Sequence, residues 1–307
     1  MERSKWFYDP RVWLEVFVLV NLAFLALDIS LAHSVNQFHD PAEFIPLFFS
    51  LTAPALLLAA LLADLRWGWQ AAWRDVGHLV GWLAVGIGLT GVVLHLDSRF
   101  FYERTIKSLV YAAPFAAPLA YTGLGLLLIM NRMVITATVE WAQWVLLMAL
   151  GGFAGNYLFS LTDHAQNGFY HATEWIPIIS SALTVGFLAA PFCTSVNRRF
   201  LGLCGIVLLV QAAVGLLGFY YHTAANLGGP AARMWDNFIN GAPAMAPLLF
   251  PNLGLLAGLG LWTLSTHVPL EERELASLPG RAGGSQGSTH RTIDVSDKSP
   301  PSSPARR

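Results

Sequence analysis

Apolar residues run through this chain in long blocks rather than in the short alternations of strands or the one-sided stripes of surface helices. Eight blocks of about twenty residues stand out, each long enough to cross a hydrocarbon core about 30 Å thick. They cover residues 12–32, 44–63, 79–96 and 109–130, then 141–162, 175–195, 200–221 and 243–264. Backbone groups inside a bilayer must be satisfied within their own segment, so the blocks predict helices. The expected fold is an all-α integral membrane protein with eight transmembrane helices.

Polar positions are sparse and recur in register. "AHSVNQFHDPAEFIP", from Ala32, aligns without a gap on "DHAQNGFYHATEWIP", from Asp163. His33 falls on His164, Asn36 on Asn167, Phe38 on Phe169, Glu43 on Glu174 and Pro46 on Pro177. "GLTGVVLH", ending at His95, aligns on "GLLGFYYH", ending at His222, and Pro114 and Pro118 then align on Pro243 and Pro247. Low-complexity apolar sequence yields chance Leu and Ala matches, but not His, Asn, Glu and Pro together. The alignment predicts a tandem duplication of a four-helix unit, 1–135 and 136–266, in parallel orientation because each unit has an even number of spans. Residues 267–307, rich in Gly, Ser, Pro and charge, predict a disordered cytoplasmic tail.

Composition supports the bilayer reading: of 307 residues 55% are hydrophobic and 12% charged, about half the charge of ordinary soluble domains. Lys and Arg between the blocks set orientation. With the N-terminus inside, Arg3, Lys5, Arg11, Arg66, Arg74, Arg132, Arg198 and Arg199 lie on the cytoplasmic side, against Arg99, Arg104, Lys107 and Arg233 outside. Both termini are therefore expected in the cytoplasm of a cell whose cytoplasmic membrane holds the protein, and no cleavable signal peptide is expected. Cys193 and Cys204 match no zinc or redox spacing and are read as packing residues. Lipid is the expected partner, with a redox partner or further membrane subunits, and no nucleic acid.

The duplication singles out His33, His95, His164 and His222, each ending an odd-numbered helix at the outer face, with Glu43 or Glu174 opening the helix that follows the first of each pair. Gly91 and Gly218 lie four residues before His95 and His222, on the same helix face. A bare patch there suits a flat macrocycle; it equally suits close helix packing. Three readings follow: haem held by His33 with His95 and His164 with His222; a transition metal held by the same histidines with Glu43 or Glu174; or capping groups at helix ends among headgroups. Asp163 and His171 have no counterparts of the same type, and Glu15 and Glu140 read as groups near the cytoplasmic helix ends.

The predicted architecture resembles the haem A synthase family: eight helices, two four-helix halves and outward histidines. That family's ligand histidines lie on even-numbered helices and its outer loops carry cysteines; this chain has neither feature, so the resemblance carries no residue roles over. The expected function is haem or transition-metal binding at the outer face for electron transfer or maturation. A carrier whose vestibule these residues line is the alternative, as is a non-catalytic subunit of a membrane complex. No phosphate-binding loop, nucleophile elbow or zinc-protease signature occurs, so neither hydrolysis nor nucleotide use is expected.

Overall fold

The computed structural model describes residues 6–111 and 113–268. The expected tail therefore falls outside the described residues except for its first two positions. Among the described residues every regular element is helical. Seven helical stretches are long and apolar enough to cross a membrane.

The helices are α1 (Pro10–Ser34), α2 (Phe44–Trp67), α3 (Gln70–Asp97), the short α4 (Phe100–Glu103) and α5 (Ile106–Val110), and α6 (Leu119–Met133). There follow α7 (Val139–Gln166), α8 (Trp175–Cys193), α9 (Arg198–Leu227), the short α10 (Met234–Asn240) and α11 (Leu249–Ser265). Their starts are written locally. Asp9 accepts from the Arg11 N–H with Pro10 in the first turn, and Asn197 accepts from the Phe200 N–H; both satisfy amides that a helix start leaves orphaned.

The fourth expected span, 109–130, is not one helix. The chain turns through 113–118, and α6 begins only at Leu119. Pro114 and Pro118 account for the break, since each lacks an N–H and its ring clashes with the preceding turn. At 15 residues α6 is apolar but shorter than the seven candidate spans.

Packing closes two rings of four. In one, α1 touches α2, α2 touches α3, α3 touches α6, and α6 returns to α1. In the other, α7, α8, α9 and α11 follow the same cycle. Hence α1 faces α3, and α7 faces α9, across a ring rather than along a shared seam. The rings meet through α1 with α11 and α6 with α7, where Asn21 and Asn252 exchange reciprocal amide hydrogen bonds. These four central helices bury Leu14 and Leu22, Leu127 and Leu128, Trp141 and Phe153, and Ala257. By contrast Leu79, Trp82 and Leu83 on α3, and Ile206, Leu209 and Val210 on α9, are exposed. Apolar surface of that extent belongs in lipid, not water.

Candidate functional site

Two helix-end loops of one shape position the histidines. After α1 the chain passes through left-handed backbone at Gln37 and Phe38 (φ 61° and 51°), and after α7 through the same conformation at Gly168 and Phe169 (φ 70° and 55°). In both loops a backbone bond of 3.0 Å closes the helix end, from Phe38 N–H to the His33 carbonyl and from Phe169 N–H to the His164 carbonyl. Phe38 then stacks on Phe44 and Phe169 on Trp175, at 4.9 and 4.2 Å between ring centres. A 3-10 turn, Pro41–Glu43 or Ala172–Glu174, leads into the next long helix.

These turns aim the two glutamates back at the histidines. His33 Nδ1 lies 3.5 Å from Glu43 Oε2, and His164 Nδ1 lies 3.6 Å from Glu174 Oε2. The carboxylates are mostly enclosed, with side chains 15% and 11% exposed. Asn36 holds the other oxygen of Glu43 at 2.5 Å; the His171 backbone N–H holds that of Glu174 at 3.3 Å. Both Oε2 atoms are buried without a hydrogen-bond partner.

The partner histidines arrive from the facing helices. His33 and His95 have ring centres 6.3 Å apart with planes crossed at 73°; His164 and His222 stand at 6.4 Å and 83°. His95 Nδ1 lies 2.9 Å from the Pro114 carbonyl oxygen, and His222 Nδ1 lies 3.0 Å from that of Pro243. A carbonyl only accepts, so Nδ1 carries the proton and Nε2 keeps the lone pair. At His33 and His164 the carboxylate oxygen faces Nδ1 at 3.5 and 3.6 Å, outside hydrogen-bond distance.

Gly91 and Gly218 explain how the carbonyls come so close. A Cβ on Gly91 would stand 2.7 Å from Pro118 Cβ, and one on Gly218 would stand 2.9 Å from Pro247 Cβ. The bare patches are thus filled by the proline turns, which glycine lets approach. Of the two roles the sequence allowed them, close packing is the one the structure shows.

Chemically, Nδ1 of His95 and His222 is bonded to a carbonyl, which leaves their Nε2 lone pairs free, while Nδ1 of His33 and His164 faces a carboxylate oxygen. Two imidazoles on opposite sides of one ion have ring centres about 6.3 Å apart, from a metal–nitrogen bond of about 2.05 Å and about 1.1 Å from nitrogen to ring centre; at a tetrahedral angle they would be about 5 Å apart. The observed ring-centre spacings, 6.3 and 6.4 Å, are close to the first distance. Among the described residues no three or more His, Cys, Asp or Glu side chains converge as a metal-binding group. Glu43 and Glu174 sit on the Nδ1 side, where they orient a ring. His171 supplies its backbone to Glu174 and its ring lies against Tyr170. Tyr102, Tyr111, Trp175, Tyr220 and Tyr221 are exposed around this end.

A second polar cluster lies at the opposite end of the first ring, where the sequence suggested only groups near helix ends. Glu15 is fully buried and pairs with Arg132 through two contacts, 2.7 and 3.0 Å. Asn131 donates to Glu15 and to the Arg11 carbonyl, and accepts from the Trp141 indole at 3.2 Å. Arg11 reaches the buried Asp64 at 3.0 Å. The guanidinium carbons of Arg11 and Arg132 lie 4.8 and 4.4 Å from the centre of the Trp73 ring. The available signal was an acid within one apolar block and an arginine just beyond the end of another. The two cysteines are free, Cys204 buried and Cys193 exposed.

Compared with protein-family models, characterised proteins and solved structures, the chain matches none.

Proposed function

We propose that this chain is a membrane haem protein built by tandem duplication, in which each ring holds one haem between its two histidines and passes single electrons. The observation that carries the reading is the repeated pair of imidazoles, 6.3 and 6.4 Å apart, with Nδ1 of all four rings facing an oxygen. A haem brings its own equatorial nitrogens, so two axial histidines suffice. A bare metal ion in a structural or catalytic site needs three or four protein ligands, and the described residues offer no such group. Haem is therefore the better fit of the two ligands.

The duplication is supported by matching loop dihedrals, matching aromatic stacks and matching ring cycles. Eight crossings follow if α6 is completed by the 113–118 turn. Non-helical backbone at membrane depth is tolerated where it packs on protein, and this turn packs on Gly88 and Gly91 of α3. The excess of Lys and Arg at the other end supports a reading with the histidines outside and both termini in the cytoplasm.

The test is optical. Full-length protein purified in detergent with haem supplied should show a Soret band that shifts on reduction. His95→Ala and His222→Ala should each remove about half of it, as loss of one axial ligand at one of two like sites requires, and the double variant nearly all. Wild-type protein that stays colourless across preparations and after haem reconstitution overturns the reading.

A further inference from the structure

We infer that Glu43 and Glu174 set the reduction potential of the two sites by accepting the Nδ1 protons of His33 and His164, and are not themselves ligands; the inference rests on the haem reading above. The geometry separates the two oxygens of each carboxylate. Oε1 is already engaged, by the Asn36 amide in one site and the His171 N–H in the other. Oε2 is buried, lacks a hydrogen-bond partner, and lies 3.5 or 3.6 Å from an imidazole Nδ1. Capping of the 3-10 turn accounts for Oε1 of Glu174 alone; it accounts for Oε2 in neither site.

A buried carboxylate oxygen without a donor is costly. The donor facing it is an imidazole N–H whose acidity depends on what Nε2 binds. With an oxidised iron on Nε2, the Nδ1 proton would be a stronger donor, and Glu43 or Glu174 would accept it in a charge-assisted hydrogen bond, as in carboxylate–histidine–metal arrangements generally. That bond favours the more positive iron, so it lowers the potential. His95 and His222 face neutral carbonyls and shift it less. Because both sites share the arrangement, both potentials fall together.

Redox titration of Glu43→Gln and Glu174→Gln, each in the full-length chain with haem bound, tests this. Glutamine is isosteric, and the untouched site serves as internal reference. Each variant should keep its Soret intensity while the equilibrium of its own site shifts about tenfold toward the reduced form, a rise of about 59 mV for one electron. Coloured variants with unmoved potentials overturn the inference, and so does loss of haem from the glutamine variants, which would assign the carboxylates to holding the ligand. A colourless wild type removes the haem reading and this inference with it, whereas a coloured wild type with unmoved variants removes this inference alone.

Discussion

The histidine ends of the two rings are alike, and the opposite ends are not. On the register that pairs His33 with His164, Glu15 falls on Leu146 and Arg11 on Ala142; on the register that pairs Pro114 with Pro243, Asn131 falls on Gly260 and Arg132 on Leu261. The substitution holds contact for contact. Asn131 donates to Glu15 and to the Arg11 carbonyl, while the position of a Cβ on Gly260 is 2.8 Å from Leu146 Cγ and 3.2 Å from the Ala142 carbonyl oxygen. One ring fills this space with two ion pairs around an indole, the other with aliphatic side chains. Polar groups are therefore dispensable for closing a ring, and those that recur at the histidine end recur for another reason.

That contrast makes its sharpest prediction at the buried ion pair. Arg132→Met leaves the Glu15 carboxylate unpaired in a site closed to water, and should lower stability by about 3–5 kcal/mol. Glu15→Leu combined with Arg132→Leu installs the pair of residues the other ring carries, and should be close to neutral or stabilising. Denaturant titration of the purified protein in detergent reads both. Equal losses in the single and double variants would show that the network contributes something the aliphatic version cannot.

The sequence made one end of this comparison legible and hid the other for a physical reason. His33 with His164 and Glu43 with Glu174 could be found because two stretches of the sequence repeat them at a fixed spacing. The all-helical membrane architecture was readable from apolar block length. Glu15 and Arg132 are 117 positions apart and have no repeat to mark them, so each alone looked like a charge near a helix end. The break before α6 was written in Pro114 and Pro118, but the apolar count ran across it. Likewise, Gly91 was recognised as bare without any sign that Pro118 would fill the space.

At the like end the prediction is a similar loss in both rings. Gly91→Ala and Gly218→Ala each push a methyl into a proline, at 2.7 and 2.9 Å, against ordinary carbon contacts of about 3.5–4.0 Å. Each should cost about 1–3 kcal/mol by overpacking, with Gly91→Ala the larger because its contact is the shorter. Both also press the turn that carries the Pro114 or Pro243 carbonyl away from its histidine, so, if the proposed haem is bound, the spectrum of that site alone should change. A stability loss at one ring without the other would break the likeness.

The smallest effect tests the likeness where the sequence departs from it. Gln37 and Gly168 occupy the same place in the two loops, both with positive φ, yet only glycine adopts that backbone without its Cβ crowding a carbonyl oxygen. The first loop keeps the conformation because the Phe38 N–H bond to the His33 carbonyl and the Phe38–Phe44 stack hold it there. Gln37→Gly should relieve about 1–2 kcal/mol of left-handed strain and give back about 0.5–1 kcal/mol in unfolded-chain entropy, a small net gain. Gly168→Ala should lose about 1–2 kcal/mol, having strain to acquire and no side-chain contact to gain. Opposite signs at the two positions, read from the same detergent titrations, would mean that the loop shape is imposed by the histidine–glutamate arrangement it serves and is met in each ring with a different residue. If Gln37→Gly were instead destabilising, its side chain would be holding the first loop, and the two histidine ends would be less alike than their distances suggest.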